Sequence, residues 1–292
     1  MNKTAPHTKT IFKLNGERVT RHYSAEICNE VTVNNKTTRT ATGLLFDLTF
    51  IGPTNNHLRF DLNFNKRYVL NEKNSAKTTL NTVEKLALEV AKINDHLSIE
   101  VSKNFKLIKI LNTKQIRDQW ERIRGTVLKE FDNISPLVHS LDQQLMDINI
   151  QEHFKNDLFF NSLFSAIYYY DFNSTWALIT KKTIPNAIDN IALPIIETKE
   201  ITNQNRDFSK VTVSTTAELD TNHPDFDLQA LNNFAGKLAS NNAPCDLHFN
   251  YKGTYHIEPD IGLITQSQLL FDLSISNLYN RTATVTINLD KK

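Results

Sequence analysis

Histidines beside carboxylates are the residues of this chain that could do acid–base or metal chemistry. His248 and His256 stand in a run that alternates apolar and polar residues, with Asp246 and Glu258 in the same phase. Even spacing puts all four on one face of a strand, where a histidine and a carboxylate can share a proton or a metal ion. At about 3.3 Å per residue, His256 and Glu258 are close neighbours, and His248 and Asp246 lie beyond ligand distance of them. Alternation with Tyr255 and Ile257 is the pattern of a wet strand face opposite a buried one, so a solvated polar face is expected here. His139 and His153 sit in a helical stretch with Asp142, Asp147, Glu152 and Asp157. Glu-Xaa-Xaa-His, the di-metal helix signature, does not occur there, and such carboxylates usually face water. No metal is assigned.

Other catalytic signatures are missing from the sequence: the serine elbow, phosphate-binding glycine loops, His-Glu-Xaa-Xaa-His and Cys-Xaa-Xaa-Cys. Seven glycines in 292 residues argue further against a nucleotide-cradling loop. The expectation is a chain that is not an enzyme and takes no cofactor. Lys and Arg number 33 against 32 acids, and a basic stretch such as Lys181-Lys182 is only a pair, which excludes an ordinary nucleic-acid binder. Cys28 and Cys245 read as two reduced, buried thiols, with a bridge between them as the alternative.

The aromatic run is the most unusual local feature. Phe160 and Phe164 follow one helical stripe with Ile167, and Phe159 runs beside them. Such a stripe is usually core. Tyr168, Tyr169 and Tyr170 carry the apolar surface around the last turn, and Trp176 follows. A helix apolar on all sides is buried all round, covers a cavity, or binds something; tyrosine suits a half-wet surface. Phe160, Phe164, Tyr168, Tyr169, Tyr170 and Trp176 form the candidate binding surface.

The elements that would position these residues follow from hydrophobic period. Phe46, Leu48 and Phe50, then Leu58, Phe60, Leu62 and Phe64, alternate with polar residues as half-buried strands, with Ile51–His57 as their hairpin loop. Weaker strands are expected near Ile11–Leu14, Ser24–Val33 and Thr37–Leu45, with an asparagine turn at Asn34-Asn35. Leu80, Val83, Leu86, Ala87, Val90 and Ile93 recur at helical spacing, and a hairpin follows over Leu97–Leu111. Asn112, with Gln115 three residues on, reads as a capping box for a helix whose stripe is Ile116, Trp120, Ile123, Val127 and Phe131. Ser135-Pro136 opens a second helix with Leu137, Leu141 and Leu145 inward, and a third covers 150–169. Strands return near 174–183, 193–202 and 208–219. Asp225 opens a helix with Leu228, Leu231, Phe234 and Leu238 inward, and strands at Asp246–Glu258, Leu263–Ser276 and Tyr279–Leu289 end the chain. The fold class expected is α+β, with antiparallel sheets at both ends of the chain and a helical block between them. The organisation is a single domain or tightly packed unit, with possible halves 10–111 and 174–290 flanking the helical block 112–170.

The stretch Gly253-Thr254-Tyr255-His256-Ile257-Glu258-Pro259-Asp260-Ile261-Gly262-Leu263-Ile264, followed by a long alternating strand, resembles the meander of bacterial periplasmic lipoproteins and lipoprotein carriers. Leu97–Leu111, followed by the helix with Trp120, has the same character. The resemblance covers the two β-rich ends. It implies a curved antiparallel sheet with helices on its concave side, and an envelope protein that binds an acyl chain or another protein. No apolar run is long enough to span a membrane, and no signal-peptide core or lipid-attachment cysteine stands near Met1. As given, the chain reads as cytoplasmic, or as periplasmic or envelope if an export signal was removed. The expected function is that of a non-enzymatic binding or interaction protein of adaptor, immunity or secretion-apparatus type, with another protein as partner, acting through a sheet face or the aromatic helix 150–170. The alternative is a carrier of a hydrophobic small molecule or acyl chain. An enzyme with a site dispersed over many strands is the third reading.

Overall fold

A computed structural model of the chain describes residues 18–167, 177–204, 210–239, 246–258 and 263–290. Strand β1 (Val19–Val33) turns through Asn34-Asn35 into β2 (Lys36–Pro53). Both asparagines have positive φ, 47° and 64°, the conformation a two-residue hairpin demands and asparagine tolerates. β3 (His57–Val69) returns along β2 in a register that pairs Phe46 with Phe64, Leu48 with Leu62 and Phe50 with Phe60. The loop between them is narrower than the sequence suggests, because pairing runs on to Pro53 with Leu58. After helix α1 (Thr82–Ala91) come β4 (His96–Ser102), β5 (Leu107–Ile110), and four helices: α2 (Thr113–Glu130), α3 (Ser135–Gln144), α4 (Asp147–Asn156) and α5 (Leu158–Leu163). The rest is β6 (Ala177–Ile188), β7 (Ile191–Gln204), β8 (Val211–Leu219), α6 (Leu228–Ala239), β9 (Leu247–Glu258), β10 (Leu263–Ile275) and β11 (Tyr279–Leu289).

The strands do not form separate sheets at the two ends of the chain, as expected from their order. All eleven belong to one antiparallel sheet, in the order β5-β4-β3-β2-β1-β11-β10-β9-β8-β7-β6. The joining pair is β1 with β11, bracketed by hydrogen bonds from the Asn34 amide to the Leu278 carbonyl and from the Asp290 amide to the His22 carbonyl, both 2.8–2.9 Å. Alternation identifies a strand and its wet face but carries no information about which distant strand lies beside it.

The chain divides into two compact units. One contains Asn15–Glu26, Ala41–Ala166 and the last residues from Asn288; the other contains Ile27–Thr40 and Ile167–Ile287. The first is called the helical unit and the second the strand unit.

In the helical unit, Ile116, Trp120, Ile123 and Val127 of α2 are buried, as their spacing predicts, while Phe131, the expected end of the stripe, has extended backbone just past the helix and is only half-buried. Trp120 also donates its Nε1–H to Asp142 at 2.7 Å, and Arg124 takes both oxygens of the same carboxylate. Asn112 stands before α2 but does not cap it. Its carbonyl oxygen accepts from the Ser98 amide and its amide donates to the His96 carbonyl, tying the helix to β4. Val138 of α3 and Leu145 just after it are buried, Leu141 is half-buried and Leu137 is 42% exposed, so Leu145 is inward as expected while Val138 takes the place expected of Leu137. The third helix, expected over 150–169, is two. Asp157 has extended backbone and its carboxylate accepts the Phe159 and Phe160 amides, starting α5. α1 carries a capping box at Asn81 and Glu84, yet buries none of its residues. The Gln151 side chain on α4 closes the sheet's short edge: its oxygen accepts from the Ile110 amide and its nitrogen donates to the Ile110 carbonyl, both at 2.8 Å. One amide side chain thereby replaces a missing strand.

In the strand unit, α6 begins at Asp227, whose carboxylate accepts the Ala230 amide, not at Asp225. Leu231 and Ala235 are its buried residues, and Leu228 is 55% exposed. The inward rows of the strands bury Leu193, Ile195, Val211, Val213, Tyr251, Tyr255, Phe271 and Leu273. Each large side chain of this kind contributes about 1.5–3 kcal/mol by leaving water.

Candidate functional site

Two of the six aromatic residues proposed from the sequence are described, and both are core of the helical unit. Phe160 and Phe164 are 6% and 3% exposed. Phe160 meets Phe154 and Phe159 edge-on at 5.0 and 5.2 Å, and Phe164 lies 6.2 Å from Phe60 and 6.3 Å from Phe105. Rings therefore fill the space beneath α5. Tyr168, Tyr169, Tyr170 and Trp176 lie outside the described residues. His248 and His256 are exposed, as expected of a wet face. Among the described residues, no group of histidine, cysteine and acid side chains could hold a metal ion. Two clefts of about 420 and 390 Å³ flank α2, one lined by Lys92, Asp95, His96, Asn112 and Arg122, the other by Arg117, Trp120, Glu121, Arg124 and Asp142. Both mix charges of opposite sign.

The unexpected site is a charged seam in the apolar face of the strand unit. The inward phase of β7 reads Leu193, Ile195, Glu197 and Lys199, and all four are buried. On β6, Thr180 stands opposite Glu197 and Lys182 opposite Ile195, so Lys182 is the diagonal neighbour of Glu197. Its Nζ donates to Glu197 Oε1 at 2.5 Å, and Lys199 Nζ meets Glu197 Oε2 at 2.8 Å. Ala217 lies between Glu197 and Tyr251 in the register and has too little side chain to separate them. The Tyr251 hydroxyl consequently reaches both partners: it bonds to Glu197 and accepts from Lys182 Nζ at 3.0 Å. Next along the face, Thr215 pairs with Lys199 on one side and Gly253 on the other. Thr215 Oγ1 is buried and has no hydrogen-bond partner among the described residues.

Burial alone would push the Glu197 carboxyl up. The two ammonium groups overcome it and bring it down to about 2, so Glu197 stays ionised at any ordinary pH. Burial, together with the Glu197 charge, drives the Tyr251 hydroxyl well above its usual range, so it remains a neutral donor. One carboxylate thus holds two cations inside an apolar and aromatic face. Buried ion pairs rarely add stability over well-packed apolar residues, so such a seam points to a role other than holding the fold together. The sequence does contain its signal: two charged residues, Glu197 and Lys199, fall on the apolar phase of an otherwise alternating strand.

No protein-family model matches the chain, and no curated protein matches it. Among solved structures, one described as lipid–protein interactions in lipovitellin is similar over 93% of this chain and 25% of that one, at 10% identity and a TM-score of 0.48. The chain thus spans a quarter of the length of that lipovitellin chain. A DUF1329 family protein from Desulfovibrio piger is similar over 93% of this chain and 86% of its own, at 7% identity and a TM-score of 0.18. A domain described as an outer membrane lipoprotein-sorting protein, from Vibrio parahaemolyticus, is similar over 93% and 84%, at 5% identity and a TM-score of 0.14. The resemblance to lipoprotein carriers drawn from the sequence therefore has a weak counterpart among these structures, and no close family match stands beside it. At TM-scores below 0.5, none of the three decides what this chain binds.

Proposed function

We propose that the chain is a non-enzymatic binding protein that carries a hydrophobic small molecule, such as an acyl chain, on the inward face of the strand unit. One observation carries this reading. β6 is an edge strand of the sheet, and its inward row of Leu178, Thr180, Lys182 and Ile184 is half-exposed, while the next row inward, on β7, is buried. An apolar face that opens gradually at one edge offers an apolar chain a way in from water. The filled core beneath α5 supports this placement over a cup closed by the helices of the helical unit. No described helix is long and apolar enough to cross a membrane, and an envelope location is part of the proposal.

The test is titration with the neutral fluorescent apolar dye N-phenyl-1-naphthylamine. Saturable binding is expected, displaced by 1-dodecanol and weakened by Ile184→Glu or Leu178→Glu, which set a charge in the entry row. Absence of saturable binding overturns the reading. A second reading, a protein that works by docking another protein, is favoured by α1, where Val83 is 73% exposed and no residue is buried.

A further inference from the structure

We propose that the charged seam selects ligands with an acidic headgroup, and that Lys182 is the residue that meets it. This rests on the apolar-ligand reading and names the class of ligand: a fatty acid or another amphiphile ending in a carboxylate.

Three observations on the strand unit lead there. Lys182 lies in the half-open row of β6, with its side chain 30% exposed, whereas Lys199 and Glu197 are 5% and 3% exposed. Solvent, and therefore a ligand, reaches the seam at Lys182 first. Glu197 is held from two sides, at 2.5 Å by Lys182 and at 2.8 Å by Lys199. Lys182 can accordingly turn toward an incoming carboxylate while Lys199 keeps Glu197 paired, which avoids the cost of a stranded buried charge. Finally, Thr215 Oγ1, buried and without a partner among the described residues, stands beside Lys199 in the register and offers a donor that the fold leaves unused. Leu178 and Ile184 extend the same row as Lys182 on either side, so a chain attached to the headgroup has apolar side chains to lie along. A cationic headgroup would meet Lys182 unfavourably, and a neutral one would gain no charge-assisted hydrogen bond.

The experiment compares dodecanoate, 1-dodecanol and dodecyltrimethylammonium, each below its micelle concentration, by displacement of N-phenyl-1-naphthylamine from the full chain. Dodecanoate is expected to bind roughly tenfold or more tightly than dodecanol, the fold-change of one hydrogen bond to a charged group. Lys182→Met should bring dodecanoate down to the level of dodecanol, its fold being checked separately by circular dichroism and a cooperative urea transition. Lys182→Arg should keep the preference. Equal binding of the acid and the alcohol, or a Lys182→Met variant that still prefers the acid, overturns the inference while the carrier reading stands. Failure of all three to displace the dye, or of the dye to bind, overturns the carrier reading and this one with it.

Discussion

Replacing Glu197 by glutamine tests the electrostatics of the seam. In the folded chain the Glu197 carboxyl lies at about 2 against an ordinary 4.5. At about 1.4 kcal/mol per pH unit, that difference makes the ionised carboxylate worth about 3 kcal/mol to the folded state. The sign follows from the direction. A carboxyl whose folded value is depressed stabilises above its unfolded value, and the contribution fades as pH falls from about 4.5 through about 2. Glu197→Gln removes the charge and leaves two ammonium groups with one neutral acceptor, so a loss of about 3–5 kcal/mol at pH 7 is expected. Urea midpoints measured from pH 7 to pH 2 on both proteins give the answer. The variant should start lower and lose less stability in acid, so that the two curves converge near pH 2. A variant within 1 kcal/mol of the parent at pH 7, or two parallel curves, would refute the account of Glu197 as a doubly held carboxylate. The fourfold change Lys182→Met, Glu197→Leu, Lys199→Met, Tyr251→Phe separates structure from function, the last substitution removing the hydroxyl that would otherwise be left buried without Glu197 and Lys182. Replacing the whole seam by apolar groups is expected to be neutral or stabilising. If the fourfold variant is as destabilised as Glu197→Gln, the seam is needed for folding.

Four other expectations can be checked directly. Trp120→Ala should cost about 3–5 kcal/mol in urea unfolding, because the ring is 2% exposed and its indole N–H holds Asp142. Gln151→Leu should cost about 1–3 kcal/mol and speed hydrogen exchange at the Ile110 amide, which loses its acceptor. Gly253→Ala should cost about 1–3 kcal/mol, since its Cβ would come within 2.6 Å of Thr215 Cγ2; adding Thr215→Ser, which deletes that methyl, should restore most of the loss. Alkylation of the folded protein without reductant should modify two cysteines, Cys28 being a free thiol; a mass matching a closed bridge would contradict this.

Strands and their wet faces were legible because period two is written directly into β2, β3 and β9. The helix α2 was legible for the same reason at period 3.6. What the sequence could not supply was partnership. The pairing of β1 with β11 depends on backbone groups that every residue carries, so nothing in either segment announces it, and one sheet was read as two. The break at Asp157 was missed because apolar residues continue on both sides of it; the aspartate followed by Leu-Phe-Phe was the clue to a cap. Asn112 shows the opposite error: a correct cap signature whose side chain is taken up by β4. The seam went unread because Glu197 and Lys199 look like ordinary surface charges until their phase is compared with Leu193 and Ile195.

The pairing of β1 with β11 also sets an order of events in time. β1 leaves the ribosome well before β11, and β2 can cover one of its sides at once through the Asn34-Asn35 turn. Its other side has no partner until β11 emerges, about 240 residues later. Over that interval a strand that will lie inside the sheet is an open edge, the kind that recruits foreign strands. The β1–β11 pairing is a contact of high sequence separation, and such closures are slow. A ribosome that stops before Tyr279 releases a chain in which β1 and β10 are open edges, in addition to the outer strands β5 and β6 that remain edges in the finished sheet. Completion of the middle of the sheet therefore waits on one strand, the eleven residues of β11.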